Sequence, residues 1–403
     1  MNKLSLNDYR NYQYYVDKLY QKELRSDVRF SMITSLTPAI VSDEEIQGFI
    51  DRYHTINEFL HISQDLFKQS LVDTSMREIR DLILNEVNSE FALDYHQQLY
   101  DNEVSIPYFY RTDESVSGKI NEIQFAGSIW GTVQALQLSL KYVQKYIEVP
   151  VRTFNKNLIA DVVSKSICDM THNNPLIYHQ IDVSSNMIDM NYFISVTRKY
   201  GLKYLGYDIE ASFKTVNFIR THSFMELVTG SYFFDFLKRY YNHQLYFATF
   251  PSILFFQKIA MLFPFWKKTK HLYSEKIRNM FPFTSLVSNY LELENGEHMS
   301  IEMFSNLEPH KRDYYLKYAG ADGKINWGSK AVYNLRKTSK RICEELLHIA
   351  SYGFHHNHYW ILQKAWHRKE KITFIKNSTL ESKEIYSKYS GFYGPRGFMG
   401  GML

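Results

Sequence analysis

Arg111, Asp113, Glu122 and Gln124 lie close together in the chain, in Arg111-Thr-Asp113, a polar turn through Glu114-Ser-Val-Ser-Gly118, and Glu122-Ile-Gln124. If Ile106 to Asp113 and Lys119 to Phe125 pair as a hairpin, side chains alternate with period two. Arg111 then shares a face with Asp113, and Glu122 with Gln124. A register that sets Asp113 opposite Glu122 also sets Arg111 opposite Gln124. Two carboxylates and an amide oxygen converge beside a guanidinium. Mg²⁺ shares such oxygen-rich surroundings with a polyphosphate, so the spacing predicts metal-assisted phosphoryl chemistry.

Positioning such a hairpin takes a folded body, and 403 residues can supply two or three lobes. With 45% hydrophobic and 22% charged residues, the composition is that of a globular protein and argues against disorder. The aromatic share is 16%, with 32 Tyr and 28 Phe, which suits amphipathic interfaces as much as core. A net charge of +4 favours an anionic substrate such as a nucleotide. It lacks the clustered basic face of a nucleic-acid binder. Cys168 and Cys343 stand far apart without a CxxC pattern, which excludes a disulfide framework or zinc ribbon and predicts a reducing, cytoplasmic setting. Met1-Asn-Lys-Leu-Ser-Leu leads into aromatic and charged residues without a signal-peptide core. Leu245 to Trp266 is strongly apolar, but Pro251, Pro264 and Gln257-Lys258 interrupt it, so no membrane span is expected.

Helical spacing predicts helices over Asp8 to Leu24, from a capping box at Ser42 and Glu45 to about Leu71, and over Asp73 to Val87. Tyr12, Tyr15, Val16 and Leu19 form a packing stripe. After Ala126-Gly127-Ser128 a helix is expected over Thr132 to Tyr146, its first amides open to an ordinary cap or an anion. From Leu158 the texture is α/β, with strands at Ile177 to Ile181, Asn186 to Met190, Tyr204 to Tyr207 and Val216 to Arg220, and a helix near Asn191 to Tyr200. Asp208 and Glu210 read as a solvated strand end or as binding carboxylates. Pro251 to Lys258 runs into an expected apolar helix. His355-His356-Asn357-His358, without cysteines or HExxH spacing, reads as a polar loop.

The Arg-x-Asp strand, the loop, the Glu-x-Gln strand and the small-residue turn resemble the metal-binding hairpin of circularly permuted ATP-grasp ligases, the group that includes glutathionylspermidine synthase. Three later segments match that family's order. Gln257-Lys258-Ile-Ala-Met-Leu is similar to its Asn-Lys-hydrophobic start, whose lysine contacts phosphate. Tyr314-Tyr-Leu-Lys317-Tyr-Ala-Gly320, the loop through Gly328-Ser329-Lys330, and Ala331 to Leu335 resemble its strand-lysine, glycine-rich loop and returning strand. That loop departs from the usual pattern in carrying Asn326-Trp327. Tyr359-Trp-Ile361-Leu362-Gln363 resembles the strand that meets adenine. Near the end, Lys388 or Arg396 is the expected closing base, unless the Gly-rich stretch is a flexible tail.

The resemblance implies an α+β, ATP-grasp-like, circularly permuted fold holding nucleotide between two subdomains, beside an N-terminal helical lobe. The expected organisation is a helical lobe over 1–90, the hairpin and following helix over 91–150, a substrate-side lobe over 151–245 and a nucleotide half over 246–403. The implied cofactors are ATP and Mg²⁺. Asp113, Glu122 and Gln124 would hold the metal, Arg111 would act on the transferred phosphoryl group, and Lys258, Lys317, Gly328, Ser329, Lys330, Ile361, Leu362 and Gln363 would hold the nucleotide. The implied activity is carboxylate-amine ligation through an acyl phosphate, on small-molecule or peptide substrates. Two other readings stay open: a non-catalytic nucleotide-binding or regulatory protein of the same fold, and a peripheral membrane or interaction protein.

Overall fold

The computed structural model describes residues 43–84, 105–114, 118–125, 130–143, 158–179, 187–205, 214–220, 232–320, 331–376 and 379–402, with 7, 10, 11 and 14. Most of the first predicted helix and its tyrosine stripe lie outside the described residues, as do Asp208, Glu210, Ser128 and the segment 321–330. Helix α1, Asp43–Val72, opens on Asp43, Glu44 and Glu45, whose charges suit a helix N-terminus. Its buried face carries Phe49, Ile56, Phe59, Leu60 and Phe67. A single turn, Thr74–Met76, capped by Asp73 accepting from the Ser75 amide, reverses the chain into α2, Arg77–Leu84. The predicted second and third helices are thus present.

The hairpin forms as the alternation requires. Strands β1, Tyr110–Glu114, and β2, Ile120–Gln124, pair antiparallel with Arg111 opposite Gln124 and Asp113 opposite Glu122. The other edge of β1 is not free. Strand β15, Tyr389–Gly394, pairs with it, setting Asp113 opposite Ser390, and β16, Gly397–Met402, follows outside. The four-stranded order is β16-β15-β1-β2. The Gly-rich stretch is therefore sheet, not a tail.

A second sheet is parallel, in the order β4-β3-β5-β6. Its strands are β3, Leu176–His179, β4, Lys203–Tyr204, β5, Phe218–Arg220, and β6, Tyr246–Phe247. Helices α3, Trp130–Val143, α4, Ile159–Met170, α5, Met187–Thr197, and α6, Phe233–Tyr241, accompany it. The strand expected over Asn186 to Met190 is instead the start of α5. Short apolar runs read alike in either state, and here Met190, Tyr192, Phe193 and Ile194 are all buried along one continuous helix.

The third sheet runs β11-β10-β12-β7: β7, Thr284–Leu286; β10, Tyr314–Tyr318; β11, Val332–Asn334; and β12, Trp360–Lys364. Helix α9, Lys340–Phe354, capped by Ser339, packs against it around Leu316, Cys343, Leu347, Ala350 and Leu362. Helices α7, Glu275–Met280, and α8, Ile301–Ser305, and the hairpins β8, Tyr290–Glu292, with β9, His298–Ser300, and β13, Arg368–Lys376, with β14, Thr379–Ser387, complete the region. The helix expected after Lys258 is absent. Two 3₁₀ turns, Ile253–Phe256 and Ile259–Leu262, take its place. The Lys258 amide donates to the Ala319 carbonyl at 2.9 Å, and this tertiary bond removes a donor that a helix beginning earlier would use. Among the described residues no helix is long and apolar enough to cross a membrane.

Candidate functional site

Arg111 and Asp113 project from the same face of β1, and nearly every oxygen there is engaged. Asp113 Oδ1 accepts from Arg111 Nε and from Ser390 Oγ, each at 3.0 Å, and its Oδ2 lies 3.5 Å from Lys388 Nζ. Arg111 also donates to Gln124 Oε1. Burial pushes the Asp113 carboxyl up. Arg111 and Lys388, with the Ser390 bond, outweigh it and hold the group below the ordinary carboxylate value.

Glu122, across the hairpin, lies 3.5 Å from Lys258 Nζ. Lys317 reaches over from β10, donating to the Asn121 carbonyl at 3.0 Å and to Gln363 Oε1 at 2.6 Å. Gln363 of β12, opposite Tyr315 of β10, donates in turn to Thr284 Oγ1 at 3.3 Å. Burial lowers the Lys317 ammonium to about 8; Glu122 opposes that shift, and Lys258 and Lys388 add to it. Four cationic side chains thus converge on two carboxylates between the β1–β2 hairpin and the β10–β12 sheet. The cluster carries a surplus of positive charge, which suits a polyanion.

The cleft between these sheets is also lined by Phe59 and Leu60 of α1, and by Leu254, Phe255 and Met261. Its enclosed space is about 20 Å³, room for about one water. The described residues hold no group of three or more His, Cys, Asp or Glu arranged to ligate a metal. A divalent ion here would draw most of its oxygens from a polyphosphate and water, as Mg²⁺ does.

The site-forming residues predicted from sequence mostly meet. Arg111, Asp113, Glu122, Gln124, Lys258, Lys317 and Gln363 belong to one charged and polar cluster, and Glu122, Lys258, Lys317, Gln363 and Ile361 line the cleft. Leu362 is buried in the core on the α9 side of the same strand. Gly328, Ser329 and Lys330 lie outside the described residues. Of the two candidate closing bases, Lys388 reaches the site, whereas Arg396 pairs with Asp169 of α4 at 2.6 Å. Ser390 was not legible, because nothing local marks a serine that pairs across a sheet.

Two further charged clusters escaped the sequence. On the far side of β1, Glu114 is fully buried and lies 2.6 Å from Arg52 of α1, while Thr112 Oγ1 donates to its other oxygen at 2.6 Å. Burial raises the Glu114 carboxyl despite Arg52. In the parallel sheet, buried Arg220 stands 4.1 Å from the Trp130 ring centre. Beside it Asp189 accepts from the Thr132 hydroxyl at 2.8 Å. Burial raises Asp189 and lowers Arg220 to about 10.

No protein-family model matches the sequence, and no curated protein does either. Among solved structures, a glutathione synthetase-like effector from Globodera pallida, determined in its apo form, superposes with a TM-score of 0.51 at 10% identity. The two chains share a fold. The match covers 98% of this chain and 96% of the other. At that identity the likeness concerns architecture alone, a mixed α+β body with a helical N-terminal region and several sheets.

Proposed function

We propose that the chain is an ATP-dependent carboxylate-amine ligase of the permuted ATP-grasp type. The observation that supports this reading is the clustering of Arg111, Lys258, Lys317 and Lys388 around Asp113 and Glu122. The shared fold with a glutathione synthetase-like protein is in keeping with it.

In this chemistry a substrate carboxylate oxygen attacks the γ-phosphorus of ATP and ADP leaves. An amine then adds to the acyl phosphate carbonyl and inorganic phosphate departs, leaving an amide and a proton. Little covalent work falls to the protein, so its part is to position groups and to stabilise charge. Lys258 and Lys317 would neutralise phosphate oxygens, and Arg111, aligned by Asp113 and Gln124, would meet the transferred group. Glu122, with Asp113 and Gln124, would hold Mg²⁺, which supplies charge neutralisation across the polyphosphate.

Nucleotide clefts run to roughly 300–1,000 Å³. The enclosed space beside Lys317 is smaller than that, so in this reading the cleft widens when nucleotide binds. A second reading is favoured by the bonds already made to Asp113: a nucleotide binder of the same fold that does not ligate. A thermal melt with saturating MgATP and a phosphate-release assay across candidate acids and amines separate the two. Stabilisation with turnover supports the ligase, stabilisation without turnover supports the binder, and an unchanged melt refutes both.

A further inference from the structure

The chain's net charge of +4 is not spread evenly. Between Trp266 and Arg278 stand Lys267, Lys268, Lys270, Lys276 and Arg278 against the single carboxylate of Glu275, so this short stretch alone carries the whole surplus. It follows directly on Leu245 to Trp266, whose apolar side chains are mostly turned into the core. Helix α2, beside it, is itself balanced: Glu78 and Asp81 are matched by Arg77 and Arg80.

Local bonding fixes the stretch as a rigid turn. The Trp266 carbonyl accepts from the Thr269 amide at 2.9 Å and from the Lys270 amide at 2.8 Å, and the Leu272 amide donates to the Thr269 carbonyl at 2.9 Å. Two side chains anchor the turn inward. Thr269 Oγ1 donates to the Phe263 carbonyl at 2.7 Å, and the Tyr273 hydroxyl shares a 3.0 Å hydrogen bond with Ser63 Oγ of α1. Beside and between these anchors Lys267, Lys268, Lys270, His271 and Leu272 are all exposed. Arg278 of α7 reaches back to the Lys270 carbonyl at 3.1 Å and to the Tyr273 carbonyl, which holds exposed Lys276 of the same helix close to the turn. Lys268 pairs with Glu78, and its ammonium stands 5.6 Å from the ring centre of half-buried Trp266.

We propose that this turn seats the protein on a bilayer surface rich in anionic lipid, Leu272 entering among the headgroups while the surrounding lysines meet their phosphates. Leu272 is 42% exposed and stands immediately after Lys270 and His271. Cations around an outward leucine, with an indole at the start of the stretch, are the composition of a contact that lies on a membrane without crossing it. Nucleic acid asks instead for a basic groove that tracks the backbone and for aromatic faces on which bases stack. A folded partner needs a pocket cut for one leucine, and a bilayer needs none. Near an anionic surface each Lys or Arg strengthens partition about fivefold, so a net +4 favours it over a neutral surface by roughly a hundredfold or more.

The inference is independent of the nucleotide reading. Co-sedimentation of the full chain with vesicles of phosphatidylcholine, alone or with about one-third phosphatidylserine, tests it at low and high salt. Wild type is expected to follow the phosphatidylserine vesicles at low salt and to be released at high salt, where charges are screened. Lys267→Glu with Lys270→Glu is expected to weaken that partition about a hundredfold, at an unchanged melting temperature, because both side chains face solvent. Leu272→Ser should weaken it severalfold while leaving the salt dependence as it was. Lys311→Glu with Lys340→Glu, the same change of charge at two exposed sites elsewhere, should leave it intact. Equal partition to both vesicles, no partition to either, or a control pair that loses binding as fully as the Lys267 and Lys270 pair overturns the proposal. So does a chain that binds a DNA oligonucleotide at low salt and leaves the phosphatidylserine vesicles bare.

Discussion

Replacing Lys317 with methionine keeps the apolar stem and removes only the ammonium, which separates charge from packing. In the folded protein burial lowers that ammonium from 10.5 to about 8, a difference on the order of 3 kcal/mol at 1.36 kcal/mol per pH unit. The unfolded chain binds this proton more tightly than the native one. Stability should therefore rise as pH climbs from about 8 to 10.5, and the penalty should be complete below about 8. Lys317→Met deletes that penalty, but it also leaves the Asn121 carbonyl and Gln363 Oε1 without their donor. Each bereft group costs ~1–3 kcal/mol, so the two effects nearly cancel and the melting temperature at neutral pH should change little. The pH slope above 8 should vanish. Nucleotide affinity should fall by about 2–4 kcal/mol, the scale of unpairing charge in a closed site. Chemical denaturation across pH 7 to 11 and calorimetry with MgATP measure the two effects. A variant that keeps the alkaline slope, or that binds MgATP as wild type does, would show that Lys317 is not the buried phosphate cation.

Glu122→Gln should keep the fold and weaken the divalent-ion dependence of MgATP stabilisation, which melts with and without chelator would reveal. Asp113→Asn should loosen Arg111 and Lys388 together and lower turnover more than nucleotide affinity, as judged from kcat and Kd side by side. Arg52→Met should destabilise by about 3–5 kcal/mol, since it strands buried Glu114. Because the Glu114 value is already raised, its protonated form stabilises the fold below the ordinary carboxylate range, and that benefit fades as pH rises. The deficit in denaturation free energy should therefore be larger at pH 7 than at pH 5. Gly131→Ala would drive a Cβ into the Asp189 backbone carbonyl, so a lowered melting temperature by circular dichroism is expected, and a wild-type melt would contradict the packing of α3 on α5.

The hairpin was legible because a two-residue period ties Arg111, Asp113, Glu122 and Gln124 to one register, and a one-residue slip would turn every one of them over. Lys317 and Gln363 were legible as strand residues, since Tyr314 to Gly320 and Tyr359 to Gln363 keep β-branched and aromatic residues between turn signals. That the two side chains bond to each other was not, because strand order leaves no local mark. The Lys258 segment misled for a related reason: its spacing suits a helix, but Ala319, far along the chain, claims its amide. Ser390 and the Arg52–Glu114 pair were likewise fixed by contacts between distant segments.

The β1 edge carries a timing consequence. Asp113 and Ser390, hydrogen-bonded partners in the site, are separated by 277 positions in the chain. At roughly 5–20 residues per second of synthesis, the hairpin leaves the ribosome on the order of tens of seconds before the strand that completes its sheet. Throughout that wait β1, whose five residues are all buried in the finished protein, shows an open edge to the cell. The nascent chain therefore needs either a chaperone over that edge or a slow final closure. A nonsense codon between Lys364 and Tyr389 would leave a protein with the hairpin and the β10–β12 sheet translated and the strand that orders Asp113 missing.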